Sequence, residues 1–196
     1  YGLPLEERLL PQALKDAGYR TAIVGKWHLG HFKPDYLPTR RGFDHQYGQY
    51  NGAIDYNTHV RDGGFDWHKD DKVCRDEGYT THLIAKEAIR LINDHDGKKP
   101  LFLYVAFNAP HAPSTPAPRD AGTLEGIEAP RTQAFDEDDL SDKPSFLRDR
   151  PPLGPQAIAR IDARNQRALE SLAEVDRQVA RIVDALREKG ELGNTY

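Results

Sequence analysis

Apolar residues recur at helical spacing in three stretches of the chain and run together as strands in two more. From Leu5 to Ala17, the residues Leu9, Leu10, Ala13, Leu14 and Ala17 share one side while Glu6, Glu7, Lys15 and Asp16 share the other. This spacing predicts an amphipathic helix stopped at Gly18, with Pro11 either marking its true start or kinking it. Tyr19 to Val24 is short, apolar and partly β-branched, and predicts a buried strand bounded by Gly25. From Gly30 to about Gly78 no period is sustained, and Gly, Asp, Asn, aromatic and His residues mix as in a loop. A structureless stretch of that length inside a compact domain is usually functional. Thr80 or Thr81 is the expected cap of a second helix reaching Asn93, with Leu83, Ile84, Ala88, Leu91 and Ile92 on its core side. Leu101 to Phe107 is a continuous apolar run, the pattern of a central strand covered on both faces. Ser114 to Pro155 reads as an irregular excursion over the surface. Gln156 to Lys189 is a long helix with Ile158, Ile161, Leu169, Leu172, Val175, Val179, Ile182, Val183 and Leu186 along one side, ended by Gly190. Leu192 to Tyr196 leads toward a further strand. Strand, helix and strand of this character predict an α/β fold with a mostly parallel sheet and helices on both faces.

Composition narrows the class. The chain has 196 residues, enough for one domain or part of a larger one, and is 38% hydrophobic with no apolar run long enough to span a membrane. It contains no methionine and no signal-peptide pattern, so it is expected to be an excerpt of a longer protein. A formal net charge of -4 argues against nucleic acid as a partner. The single cysteine, Cys74, excludes an internal disulfide framework and a cysteine-based zinc site. No Asn-x-Ser/Thr acceptor occurs. The acidic run Asp136 to Asp139 lacks the glycine and the distal glutamate of a calcium loop and is assigned no metal.

The chemistry gathers where the two strands end. Gly25-Lys26-Trp27-His28 follows the first, and extended backbone there turns Lys26 and His28 to one side and Trp27 to the other. Asn108-Ala109-Pro110-His111-Ala112-Pro113 follows the second and holds His111 on a stiff loop, because the prolines restrict the backbone. Open α/β sheets collect ligands beyond the carboxyl ends of their strands. Lys26 supplies a fixed positive charge for an oxyanion, and His28 and His111 move protons near neutral pH. This set suits hydrolysis of an anionic sulfate or phosphate ester, although it contains no nucleophile. No Gly-x-Ser-x-Gly elbow and no P-loop is present. Arg40 and Arg41 either face an anionic substrate or serve as one structural and one solvated arginine. His45, His59 and His68 each read as hydrogen-bonded loop residues.

Ala22 to Gly30 closely resembles the Gly-Lys-Trp-His-x-Gly signature of the sulfatase family, in the alkaline-phosphatase-like superfamily. Leu37-Pro38-Thr39-Arg40-Arg41-Gly42-Phe43-Asp44, then Asp55-Tyr56 with His59, resemble the segment that follows it in arylsulfatases. Phe107 to Pro113 is similar to the family's second histidine motif, and Ala129 onward looks closer to N-acetylglucosamine-6-sulfatases. The resemblance implies that residues 1–196 are part of a sulfatase catalytic domain, with the excursion at about 114–155. It implies a formylglycine nucleophile, made by a formylglycine-generating enzyme from a Cys or Ser in a Cys/Ser-x-Pro-x-Arg motif, and a Ca2+ ion held by Asp and Asn residues. Cys74 is followed by Arg75-Asp76-Glu77-Gly78, so nucleophile and calcium ligands are expected outside this chain, which alone is expected to be inactive. By motif match Lys26 contacts the sulfate and the formylglycine, His28 steers a formylglycine hydroxyl and assists the elimination, and His111 binds sulfate and helps protonate the leaving oxygen. The substrate implied is a sulfated sugar or aryl sulfate, and the address implied is periplasmic or secreted. A phosphodiesterase or phosphonate hydrolase of the same superfamily and a non-catalytic binder of sulfated glycans are the alternatives.

Overall fold

The structure, a computed structural model, describes residues 2–196. In chain order the helices and strands are α1 (Leu10–Asp16), β1 (Arg20–Gly25), β2 (His45–Gly48), β3 (Val60–Arg61), β4 (Gly64–Phe65), β5 (His68–Lys69), β6 (Lys72–Val73), α2 (Thr80–Asn93), β7 (Leu101–Ala106), α3 (Ser145–Arg148) and α4 (Pro155–Glu188). Five strands form one sheet in the order β6-β5-β2-β1-β7, and β3 and β4 pair as a separate small hairpin. β1 pairs parallel with β2 on one side and with β7 on the other, while the two-residue strands β5 and β6 join antiparallel. Most strand residues are therefore parallel, in an α/β arrangement.

Alternation along β1 divides its side chains between two cores. Ala22 and Val24 face a core made with Tyr47, Ile54, Trp67, Ile84 and Leu91, which brings α2 onto that side. Ile23 faces the other way, with Trp27, Phe43 and Tyr50, and the start of α1 arrives there through Leu9. Helices thus lie on both faces. Ile84 and Leu91 are one helical face of α2 and almost wholly buried, so truncating either to Ala costs about 2–5 kcal/mol.

The structure decides one open alternative, the start of α1, and corrects several expectations. α1 begins only at Leu10, because Pro11 supports a first turn and not an interior; Gln12 Oε1 accepts the Leu9 N–H at 2.8 Å and ends the helix there. Leu10 is 61% exposed, and only Leu9, Ala13 and Leu14 of the expected stripe are partly covered. α2 starts as expected at Thr80, but its N-cap is Tyr79 and no side chain caps it. β7 is an edge strand among the described residues, with Tyr104 half exposed, and not a strand covered on both faces. The stretch 30–78 contains β2, whose four residues are all buried although two of them, His45 and Gln46, are polar. Residues 192–194 form a 3-10 turn.

The largest correction concerns α4. Its extent matches the apolar period within a residue at each end, yet the fully buried positions are Glu170, Ser171, Glu174, Gln178 and Ala185. Leu172 and Val179, from the expected core side, are 37% and 44% exposed. The inward face is polar because cations and backbone amides wait for it. Glu174 accepts from His82 Nε2 at 2.8 Å, Arg119 Nε at 3.1 Å and Arg177 Nε at 2.9 Å. Glu170 accepts the Leu124 N–H at 3.2 Å. These contacts bind α4 to α2 and to the first half of the excursion, which otherwise has no regular structure until α3. Burial pulls Glu174 up, but Gln178, Arg177 and His82 outweigh it and hold the carboxyl down at about 2.

Candidate active site

Three parallel strands end at the same edge of the sheet. The register sets Gly25 opposite Ala106 and Val24 opposite Tyr47, so the segments leaving β1, β2 and β7 emerge side by side. Gly25 has φ +113, and a Cβ there would stand 1.9 Å from the Ala106 carbonyl oxygen, so only glycine permits this approach. Beyond it the ladder continues briefly. Lys26 N–H donates to Ala106 O at 2.9 Å, Trp27 N–H to Gln49 O at 3.0 Å and His28 N–H to Tyr50 O at 3.0 Å. Trp27 turns into the core and donates its indole N–H to the Gly30 and Tyr36 carbonyls. Trp27 is buried, whereas Lys26 is partly buried and His28 is exposed. The extended path ends at His28, whose φ is +57.

His28 lies directly over Gly52. A Cβ on that glycine would fall 2.4 Å from the His28 Cε1 and 2.5 Å from its Nε2. The Tyr50–Gly52 segment is itself pinned by Asp66, which accepts from the Tyr50 N–H at 3.0 Å and the Asn51 N–H at 2.8 Å. Burial raises the Asp66 carboxyl, but these bonds and His68 outweigh it and hold it at about 2.

His111 stands on the loop after β7. Its N–H donates to Asn108 O at 2.9 Å, and the Tyr56 hydroxyl donates to its carbonyl at 2.6 Å. Asn108 is buried and receives the Gln49 side-chain N–H at 3.0 Å, which ties the β7 loop to the β2 loop beneath the site. The peptide bonds Ala109–Pro110 and Ala112–Pro113 are both cis. The His111 Nδ1 is 2.9 Å from the Ala112 carbonyl, which can only accept, so Nδ1 carries the hydrogen and Nε2 is left to take up or release a proton.

The electrostatics tie the loops together. Burial first, then the charges of Lys26, Arg61, His111 and His31, push the His28 pKa below its ordinary value. Burial and Arg61 push Lys26 down. Among the described residues no carboxylate lies within ion-pair distance of Lys26, His28, His31 or His111. The result is a lysine and three histidines without carboxylate partners, an arrangement that a tetrahedral oxyanion would complete.

His28 thus feels the charges of Lys26 and His111, and also those of two residues that the sequence did not single out, His31 and Arg61. His31 follows His28 by three residues on the same loop; Arg61 is carried in by the β3–β4 hairpin, and nothing local to it signals the destination. Arg40 and Arg41 take no part. Arg41 is buried and donates to the carbonyls of Pro4 and Glu7, while Arg40 is exposed and sits 3.9 Å from Asp71. His45 bridges Asp70 and Glu87 at 2.9 and 2.8 Å, His59 stacks on Trp67 and bonds Gly78 O, and His68 stacks on Tyr50. These three are structural.

Cys74 is partly buried, and burial with a nearby Asp76 raises its pKa, the reverse of an activated nucleophile. Among the described residues no three His, Cys, Asp or Glu side chains gather as metal ligands. The described residues thus fit neither a formylglycine nor a calcium ion. A 590 Å³ concavity lined by Asp136, Lys143, Arg148 and neighbours lies in the excursion and touches none of the cluster. Asp136 there accepts the Leu153 N–H and Glu137 pairs with Lys143.

A mostly parallel sheet with a lysine and histidines gathered beyond its carboxyl edge is an α/β fold with a candidate anion site. The chain belongs to the sulfatase family, whose model, Sulfatase, matches residues 2–196. Arylsulfatase J of Mus musculus is 42% identical over 119 residues, covering 57% of this chain and 20% of its own length. The extracellular sulfatase SULF-1 homolog of Drosophila melanogaster is 30% identical over 198 residues, covering 97% of this chain and 17% of its own. The chain therefore spans about a fifth of the length of these curated relatives. A solved structure of a protein with its substrate D-glucosamine-2-N,6-O-disulfate shares the fold, at a TM-score of 0.69 and 23% identity, over 99% of this chain and 49% of that one. No helix among the described residues is long and apolar enough to cross a membrane.

Proposed function

We propose that residues 1–196 are part of the catalytic domain of a sulfuric ester hydrolase that removes sulfate from sulfated sugars or aryl sulfates. The observation that carries this reading is the cluster of Lys26, His28 and His111, without carboxylate partners, at the edge where three parallel strands end. Lys26 holds the sulfate by fixed charge. His28, biased toward its neutral form, accepts a hydrogen bond or a proton at the attacking side. His111, with Nδ1 committed to the Ala112 carbonyl, delivers a proton from Nε2 to the leaving oxygen. A formylglycine nucleophile, produced by a formylglycine-generating enzyme, and a Ca2+ ion would complete the site, in keeping with the family. The extracellular sulfatase among the relatives supports a secreted or periplasmic address.

The test is sulfate release from aryl sulfate and from sulfated monosaccharides by the full-length, matured protein. Release that falls on substituting Lys26 or His111 supports the reading. Binding of sulfated sugars without any release would instead mark a non-catalytic relative, and hydrolysis of phosphate diesters in place of sulfates would mark a phosphodiesterase.

A further inference from the structure

Arg61 lowers the pKa of both Lys26 and His28 by its charge. Its place is set by geometry. The β3–β4 hairpin has a rigid root, where Asp55 accepts three hydrogen bonds from Asn57 and Thr58, the Asp55 N–H donates to Val60 O at 2.9 Å, and buried His59 is stacked on Trp67. From that root Arg61 reaches the strand-end loop, its Nη1 donating to the Ala53 carbonyl at 3.5 Å. Ala53 directly follows Gly52, the residue in contact with the His28 ring. One peptide unit therefore separates the guanidinium's anchor from the imidazole.

The remaining partner of Arg61 is weak. Nε donates at 3.2 Å to Asp62, whose side chain is 87% exposed, and an exposed pair of this kind is worth only about 0–1 kcal/mol. The two contacts use two of the five guanidinium donors, leaving three for a ligand. Charge balance points the same way. A sulfate monoester carries one negative charge, which Lys26 alone matches. Another fixed cation at the same rim favours a substrate with a second anion. Guanidinium also matches sulfate or carboxylate oxygens in a two-pronged fashion that an ammonium cannot.

We propose that Arg61 is a specificity-determining residue that binds a second anionic group, a sulfate or carboxylate carried on the same glycan beside the ester being cleaved. The proposal rests on the sulfatase reading above and deepens it: the preferred substrates are polyanionic glycans, not singly sulfated sugars or simple aryl sulfates.

The experiment compares D-glucosamine 6-O-sulfate with D-glucosamine 2-N,6-O-disulfate on the full-length, matured protein and its Arg61→Gln and Arg61→Lys variants. In the unaltered protein kcat/KM favours the disulfate. In Arg61→Gln that preference falls by about 10- to 100-fold, the scale of a two-pronged charge-assisted contact, with the change carried by KM. Arg61→Lys, which keeps the charge, retains part of it. An equal preference in the unaltered protein and in both variants would overturn the proposal. Release from neither sugar would strike the hydrolase reading instead. Calorimetric binding of the two sugars then decides the role of Arg61: a disulfate preference lost in Arg61→Gln supports it, and no preference in the unaltered protein overturns it.

Discussion

The strand-end cluster and the inner face of α4 are built from the same kinds of side chain, treated in opposite ways. At α4 a fully buried carboxylate, Glu174, is surrounded by His82, Arg119, Arg177 and Gln178, and its pKa is pulled down to about 2 by partners that are all present in the chain. At the sheet edge Lys26, His28, His31, Arg61 and His111 crowd together, and burial and mutual repulsion disfavour the charged forms of Lys26 and His28. A satisfied charge network explains itself as architecture. A set of basic side chains held together with no carboxylate on Lys26, His28, His31 or His111 does not, and asks for an anion from outside. That asymmetry separates the candidate site from the other ionic clusters of the molecule more sharply than any single residue.

The strongest way to break the comparison is His111→Ala in the full-length protein. Loss of a proton-transfer group should lower kcat/KM by roughly 10²–10⁴-fold, while thermal unfolding changes little because the His111 side chain is exposed. An unchanged rate would remove His111 from the site. Gly52→Ala comes next. The added methyl must displace the His28 ring, and a misplacement near 1 Å at a reacting group is worth about 100-fold in rate. The loss should appear without a matching loss of secondary structure by circular dichroism.

Glu174→Ala tests the other side. It removes the common acceptor of His82, Arg119 and Arg177, and because those cations are partly exposed the cost is about 2 kcal/mol, less than for a fully buried pair. Urea unfolding should show it, with kcat/KM for sulfate release nearly unaltered, since Glu174 belongs to the α4 clamp and not to the strand edge. The smallest effect is the pH dependence from His59. Burial lowers its folded pKa, so the unfolded chain takes up the proton first on acidification. Its contribution is fully present above about 6.5, the unfolded value, and is lost as pH falls below it. His59→Gln should flatten that part of the stability curve.

How much of this was legible in the sequence follows from where the information sits. Lys26, His28 and His111 stand directly after apolar runs, so finding the strands located the residues at the strand ends. Arg61 is six residues beyond Asp55 in a short hairpin of mixed polarity, and only the fold returns it to His28 through Ala53. β2 escaped the pattern because it buries polar residues, among them Gln46, whose side-chain N–H groups donate to the Gly48 and His68 carbonyls. For α4 the period fixed the helix but not its inner face. Which side turns inward was decided by Arg119 and His82, distant in sequence, whose N–H donors meet the buried Glu174.

The central claim is that the strand-end cations form one anion site, and the most direct measurement is the pKa of His28 by NMR titration of the full-length protein with and without saturating sulfate. Without the anion the imidazole should titrate below its ordinary value, and with sulfate it should titrate higher, because the bound anion favours the protonated ring. By linkage sulfate should also bind more tightly as pH falls through that pKa. A His28 pKa that stays unmoved by sulfate, with sulfate affinity independent of pH across the same range, would contradict the account.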